Sequence, residues 1–140
     1  MKKKRIIFIL TVCLIGICSG CGTKKQADGE FEGESRGDYL SENYWGVSKI
    51  ELEKGKLADI EFYIIDKNLD EIFGNEYEKH YEGNETYIRQ CRNECAALPV
   101  YVKKLLDSGD INQVDAITGA TWSYDLLKAS YLAAMDKAGK

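Results

Sequence analysis

The longest apolar run in the sequence lies at its start and is short. Residues 2–5 form a cationic cluster, and residues 6–18 form an apolar run of 13 residues. A membrane-spanning helix needs about 20. A charged start, a short apolar middle and small residues before the cut are typical of a secretory signal sequence. We therefore predict that residues 1–20 are a signal peptide and that the fold is built from the rest.

Residues 17–21, Ile-Cys-Ser-Gly-Cys, resemble a bacterial lipobox. Ser and Gly directly before Cys21 fit the pattern, whereas Cys18 stands where alanine or serine is commoner. The resemblance implies that Cys21 receives diacylglycerol on its thiol and becomes the mature N-terminus. Two acyl chains give stable anchoring at about 0.8 kcal/mol per buried CH₂. We expect a lipidated tether over residues 21–28, anchored in the lipid bilayer on the outer face of the bacterial cytoplasmic membrane or another extracytoplasmic membrane face.

The charge of the chain argues against a nucleic-acid partner. The sequence has 19 basic and 23 acidic residues, a formal net charge of −4. Removing residues 1–20, which hold four basic residues and no acid, leaves 15 basic and 23 acidic residues, a balance of −8. Phosphate binding depends on Lys and Arg. Roughly 110 residues are enough for a core without a disulfide framework.

Residues 29–140 read as one domain with strands first and helices later, which indicates an α+β fold: a small twisted antiparallel sheet packed against helices. Residues 30–35 are a plausible first strand, and residues 39–44 look like a loop. Alternation over residues 45–52 and over residues 57–65 predicts two further strands.

The turn signal Lys54-Gly55 makes these two strands an antiparallel hairpin. The apolar phase slips between Val47 and Ile50, which predicts a bulge there. Tyr63 and Ile65 lie opposite the main apolar face of the second strand. We therefore expect that strand to be covered on both sides.

Two helical segments follow. Asn84 is a good N-cap, and the helical spacing of Ile88, Cys91, Cys95 and Leu98 predicts a helix after it. Pro99 ends this helix or starts another at its first position, and an apolar stripe then continues to Gly109: Val102, Leu105 and Leu106. The last helix is expected over residues 123–138, with a buried face made of Leu127, Tyr131, Ala134, Met135 and Ala138.

Residues 115–123, Asp-Ala-Ile-Thr-Gly-Ala-Thr-Trp-Ser, carry the most informative pattern. A simple interpretation is a capped helix start, with Thr or Ser at the N-cap and Gly for a tight approach. That interpretation accounts for Thr121 or Ser123 singly. It does not account for six residue types at these spacings together.

The pattern resembles the flavinylation motif of the FMN-binding domain family, which includes the C subunit of the sodium-pumping NADH:quinone oxidoreductase, the G subunit of the Rnf complex and many bacterial lipoproteins. The motif is Asp, two residues, Ser or Thr, Gly, Ala, Thr or Ser, one residue, Ser or Thr. It is matched without a gap by Asp115, Thr118, Gly119, Ala120, Thr121 and Ser123. The similarity extends upstream through Asp28-Gly29 and the Lys54-Gly55 hairpin.

The resemblance implies that FMN is joined by a phosphodiester to the hydroxyl of Thr121, transferred from FAD by a magnesium-dependent flavin transferase. An unaided hydroxyl is a weak nucleophile, so a base of the transferase would activate it. Gly119 and Ala120 leave the backbone accessible to that second active site, and a helix start suits a phosphate. Asp115 would either orient the loop or be recognised by the transferase.

Aromatic residues near the motif have two interpretations. Trp122 and the pair Tyr44-Trp45 would either contact the flavin ring or pack in the core. For Trp45 the core is favoured, and for Trp122 both stay open.

Three other features of the sequence say less about function. Cys91 and Cys95, one helical turn apart, are a redox pair, half a metal site or buried free thiols, and the last is favoured. His80 is the only histidine, so a histidine metal site or a catalytic triad is not expected. A calcium loop opening at Asp66 is rejected, because Glu71 and Tyr77 replace its glycine and its last glutamate.

Two functions are consistent with these features. The first is an extracytoplasmic electron carrier that exchanges electrons with membrane electron-transfer components through a covalent FMN, and is not a stand-alone enzyme. The second is a non-redox surface lipoprotein that uses the same fold as a binding module. The Thr121 motif favours the first.

Overall fold

The computed structural model describes residues 26–35 and 43–139. In these ranges an antiparallel sheet of four strands, in the order β1-β2-β3-β4, carries two helices. The elements are β1 (Gly29–Glu34), β2 (Tyr44–Glu53), β3 (Lys56–Asp66), β4 (Glu71–Ile72), α1 (Glu85–Ser108) and α2 (Thr121–Ala138). Short 3-10 helices cover Tyr77–Tyr81 and Ile111–Gln113. The predicted α+β fold is confirmed.

The predicted signal peptide over residues 1–20 and the lipidation site at Cys21 lie outside the described residues. So do most of the 21–28 tether and most of the loop expected over residues 39–44. Within the described part of the chain, no helix is both long enough and apolar enough to cross a bilayer.

Both helices pack on one face of the sheet. Helix α2 lies against β1 and β2, α1 lies against β3, and the helices contact each other. Apolar side chains of β2 and β3 meet those of the helices in one core, whose least exposed members include Ile50, Leu52, Ile64, Tyr101, Leu105, Leu126 and Leu127.

The hairpin of β2 and β3 forms as predicted, with Lys54 and Gly55 both at positive φ (53° and 73°) in its turn. That geometry matches the right-handed twist of the paired strands. The bulge, however, lies elsewhere. The register shifts between Glu51 and Leu52, and not between Val47 and Ile50.

The misplaced bulge has a physical cause in the residues that face the helices. Gly46 and Ser48 are buried on the helix side of β2 in phase with Ile50, so the strand alternates regularly. Trp45 and Val47 point to the other face. The expectation had placed the larger apolar residues inside, whereas a closely approaching helix requires small residues there.

The outer face of the sheet is only partly covered. Val47 is 2% exposed, while Trp45, Tyr63 and Ile65 are half-buried. Lys67 Nζ lies 5.2 Å from the Trp45 ring centroid. The long stems of such side chains cover apolar surface. Strand β3 is therefore buried on the side of the helices and half-covered on the outer side. Trp45 of β2 also lies on the outer side, so its interpretation as a core aromatic was wrong.

Helix α1 begins after Asn84, whose side chain accepts a hydrogen bond from Tyr87 N, and ends at Ser108, directly before Gly109 in the left-handed region. Pro99 lies inside this helix and does not end it or start another. Proline removes one backbone hydrogen bond. Buried side chains on both sides of it, including Cys95 and Tyr101, hold the helix against the sheet, and packing of this kind supplies most helical stability in proteins.

Helix α2 begins at Thr121, two residues before the predicted start. The predicted inner face is confirmed for Leu127, Tyr131, Ala134 and Ala138, whereas Met135 is half-buried.

Candidate functional site

A tight turn precedes α2. The Ala120 N–H donates to the carbonyl of Ile117 (2.9 Å), and Gly119, at the third position, has φ 82°. A turn with positive φ at that position favours glycine. The motif glycine therefore has a local backbone reason, whatever approaches the turn from outside.

Helix α1 clamps this turn through one buried tyrosine. The hydroxyl of Tyr101 donates to the carbonyl of Ala120 (2.9 Å) and accepts from the N–H of Ile117 (2.8 Å). Tyr101 is 0% exposed. Because its donor and an acceptor position are both used by the turn, Tyr101 fixes the entry into α2.

Thr121 is the first residue of α2 and is exposed. The N-cap position is held by Ala120, which makes no side-chain cap, so the simple interpretation of Thr121 or Ser123 as the capping residue was wrong. Among the described residues, none is hydrogen-bonded to the Thr121 hydroxyl. This hydroxyl is thus presented to solvent at the start of a helix.

The cap comes instead from a buried carboxylate on α1. Glu94 Oε2 accepts from the N–H of Ser123 (3.0 Å) and from its hydroxyl (2.6 Å). Gln90 Nε2 donates to Glu94 Oε1 (2.7 Å) and to the carbonyl of Gly119 (3.1 Å). Glu94 is 2% exposed. A carboxylate at a helix start is favoured by the helix dipole, so Ser123 and Glu94 together lock α1 to α2.

An open cleft of about 150 Å³ lies beside Trp122. Its walls are mainly aromatic: Tyr44, Phe73, Tyr81, Tyr87, Gln90, Cys91, Glu94 and Trp122 line it. The Trp122 ring centroid lies 5.3 Å from that of Tyr44 and 5.1 Å from that of Phe73, with ring planes at 89° and 70°. Trp122 therefore packs edge-on against the domain and forms part of the cleft wall.

A series of hydroxyl hydrogen bonds starts at Tyr44, one of the residues that line the cleft. The hydroxyls of Tyr44 and Tyr77 lie 2.8 Å apart, and Tyr77 donates to Asp66 Oδ2 (2.6 Å). Asp66 Oδ1 accepts from the N–H of Asn68. Burial raises the pKa of both tyrosines well above the usual phenol range, which keeps them protonated. Asp66 therefore accepts hydrogen bonds both from the turn at Asn68 and from the hydroxyl of Tyr77.

The structure brings some of the predicted site residues together and leaves others apart. Residues 118–123 lie together around the start of α2. Asp115 is exposed and precedes the turn. Trp45 lies on the outer face, away from the cleft, whereas its neighbour Tyr44 lines it. The prediction that Ala120 leaves its backbone accessible was wrong, because Ala120 is 1% exposed and its carbonyl is bound by Tyr101. The roles of Asp115 and Thr118 stay predictions.

The two cysteines are buried and free, as favoured, with Cys91 3% and Cys95 8% exposed. Burial raises the pKa of the Cys91 thiol and raises that of Cys95 to about 12, so both are poor nucleophiles near neutral pH.

In residues 26–35 and 43–139, no group of three or more His, Cys, Asp and Glu side chains is arranged to hold a metal. His80 pairs with Glu71 (2.9 Å).

Sequence reasoning missed Glu94, Gln90 and Tyr101, which organise the motif. One signal was available for Glu94: it falls on the apolar stripe of α1, three residues after Cys91 and directly before Cys95. A lone acid on such a stripe indicates a buried partner. The cleft aromatics other than Tyr44 and Trp122 come from distant parts of the chain and carry no local signal.

No family model matches the chain, and neither does any curated protein. The resemblance of residues 115–123 to the flavinylation motif therefore stays a prediction. Among solved structures, the chain is similar to the crystal structure of the CPE2226 protein from Clostridium perfringens, with a TM-score of 0.58 and 18% identity over 81% of this chain and 88% of that one. A solution NMR structure from Clostridium thermocellum gives a TM-score of 0.40 and 19% identity over 73% and 88%. The Clostridium perfringens protein shares the α+β fold.

Proposed function

We propose that this chain carries FMN esterified to Thr121 and acts as a lipid-anchored electron carrier on an extracytoplasmic membrane face. One observation supports this above all. The threonine at the acceptor position of the motif is exposed at the start of α2, and the next residue, Trp122, forms a wall of an aromatic cleft. An attachment hydroxyl and a surface for a planar ring are therefore adjacent.

Loading requires a partner enzyme. In the proposed step, the Thr121 oxygen forms a bond to the flavin-side phosphorus of FAD, the bond between its two phosphates breaks, and AMP leaves. A base of the transferase takes the hydroxyl proton, with magnesium offsetting the phosphate charge. The turn before α2 suits this step because Tyr101 holds its backbone from behind while Thr121 stays exposed.

The described residues fit the group. The start of a helix offers N–H groups and a positive dipole end to a phosphate, although Glu94 already occupies the N–H of Ser123. Trp122, Tyr44 and Phe73 supply aromatic surface for an isoalloxazine ring. FMN, when bound, exchanges one or two electrons.

Attachment and anchoring address the same difficulty. Outside the cell, a dissociable cofactor is diluted away, whereas a phosphodiester at Thr121 retains it. A lipid on Cys21 would keep the carrier beside membrane electron-transfer components.

The test is co-expression with a flavin transferase. The protein should turn yellow, stay yellow after acid denaturation, and gain the mass of one FMN minus one water. Thr121→Ala should lose this increment completely because no oxygen remains, and Thr121→Ser should keep part of it. Thr118→Ala is the matched control, since that residue is also exposed but is not proposed to form the bond; it should load at least partially.

Acid-stable flavin on Thr121→Ala would place the attachment elsewhere and refute the assignment. A colourless wild-type protein, despite an active transferase, would favour the non-redox binding module.

A further inference from the structure

Tyr44 lines the cleft, and the direction of its hydroxyl hydrogen bond is set by two buried residues, Tyr77 and Asp66. Asp66 is 5% exposed and Tyr77 is 2% exposed. The hydroxyl of Tyr77 donates its single proton to Asp66 (2.6 Å), a charge-assisted bond of the strong kind. In the contact with Tyr44 (2.8 Å), Tyr77 can therefore only accept, and Tyr44 must donate.

The hydroxyl of Tyr44 is limited in the same way. A phenol has one proton to donate, and that proton is directed at Tyr77. The Tyr44 oxygen is left as an acceptor, and Tyr44 is one of the residues that line the cleft. The hydroxyl of Tyr81 is 3.4 Å away, longer than an ordinary hydroxyl pair. This contact leaves the Tyr44 oxygen able to take a better donor.

We infer that the cleft recognises the imide N–H of an isoalloxazine ring through the oxygen of Tyr44, oriented by Tyr77 and Asp66. The inference rests on the proposed function, because it takes the ring of a flavin as the occupant. The oxidised isoalloxazine ring has one N–H donor, at N3. The aromatic walls supply affinity for any planar ring, whereas the Tyr44 oxygen distinguishes a ring that has this donor from one that lacks it.

The experiment separates recognition of the ring from covalent attachment. The Thr121→Ala chain, which offers no attachment oxygen, is titrated with free riboflavin and with 3-methylriboflavin, and binding is followed by quenching of flavin fluorescence. We expect a preference of about fivefold for riboflavin, the effect of one hydrogen bond.

The matched variant is Thr121→Ala with Tyr44→Phe, which keeps the ring and removes only the oxygen. It should bind both ligands with equal affinity. Thr121→Ala with Tyr77→Phe keeps the Tyr44 oxygen but removes its fixed partner, so the preference should shrink. Thermal melts of each variant confirm that the domain is folded.

Two results would overturn the inference. One is a riboflavin preference that persists in the Tyr44→Phe variant, since steric exclusion of the methyl group would then explain it. The other is equal or absent binding of both ligands to the Thr121→Ala chain. Neither result touches the mass gain at Thr121, which tests the proposed attachment by itself.

Discussion

Two glycines let α2 lie directly on the first two strands. A Cβ atom added to Gly33 would come within 2.2 Å of Ala134 N and of Ser130 O, and one added to Gly46 would come within 2.7 Å of Leu126 O. These are backbone atoms that cannot rotate away. Beside them, the hydroxyls of Ser48 and Ser130 meet at 2.6 Å. The absence of side chains at Gly33 and Gly46 thus sets how closely α2 approaches the sheet.

Gly33→Ala should therefore destabilise the domain. Overpacking costs roughly 1–3 kcal/mol, and contact with two backbone atoms places this change at the upper end or beyond. Urea denaturation should show the loss in the free energy of unfolding. Gly74→Ala is the control, since its nearest neighbour would be Ile72 O at 4.0 Å. Equal stability of the two variants would contradict the close approach.

Some residues at the site could be predicted from the sequence, and others could not. The start of α2 near Thr121 and the turn at Gly119 depend on adjacent backbone, so a local pattern could indicate them. Glu94 and Tyr101 act across a gap between helices, and no spacing along the chain encodes that gap. Phe73 and Tyr87 line the cleft through tertiary contacts, Phe73 with Trp122 and Tyr87 with Tyr81.

At the level of elements, local signals predicted the hairpin and the ends of α1 well. The turn residues Lys54-Gly55 and the caps at Asn84 and Gly109 act within a few residues of themselves. The failures came from tertiary packing. The continuity of α1 through Pro99 and the inward-facing Gly46 of β2 both depend on what lies opposite.

Pro99 is a weak point that packing tolerates. Pro99→Ala should raise the free energy of unfolding by about 1–3 kcal/mol, since alanine restores a backbone donor and favours the helix. The greater freedom of the unfolded chain offsets part of this gain. Thermal and urea unfolding measure the change. Val100→Ala, at the next and partly exposed position, should change stability far less, and an unstable Pro99→Ala would show that the ring itself is required.

The thiols of α1 should make the domain sensitive to alkali. Burial raises the pKa of Cys91 and raises that of Cys95 to about 12, whereas an unfolded cysteine titrates near 8.5. The folded state therefore holds its protons longer. This contribution is complete below about pH 8.5 and is lost as pH rises towards 12, by at most about 1.4 kcal/mol per thiol per pH unit.

Melting temperatures between pH 7 and pH 10 should show this fall, before the buried tyrosines titrate. Cys91→Ala with Cys95→Ala should lower stability at pH 7 through lost packing and should flatten the pH profile. Parallel profiles would remove the thiols as the cause. Flavin loading of the double variant should remain intact, and lost electron transfer at full loading would show that the thiols take part.

For the whole molecule, the predicted anchor decides where the domain works. Cys21→Ser should abolish lipidation because the thioether cannot form, and the protein should be released from membranes into the medium or periplasm. Fractionation followed by immunoblotting measures this. A Cys21→Ser protein that stays with membranes after high-salt washing would indicate an uncleaved leader and refute the lipoprotein prediction.

Helix α2 separates the point at which the chain enters the domain from Thr121. Ala27 donates its N–H to the carbonyl of Ala138 (2.9 Å), so the chain enters the domain at one end of the helix, and Thr121 lies at the other. Eighteen residues span about 27 Å at 1.5 Å per residue. Any rotation of the domain about Ala27 therefore carries Thr121 through an arc of about that radius. In the proposed lipoprotein, one lipid anchor would therefore allow FMN on Thr121 to meet electron-transfer partners over a distance of about that radius.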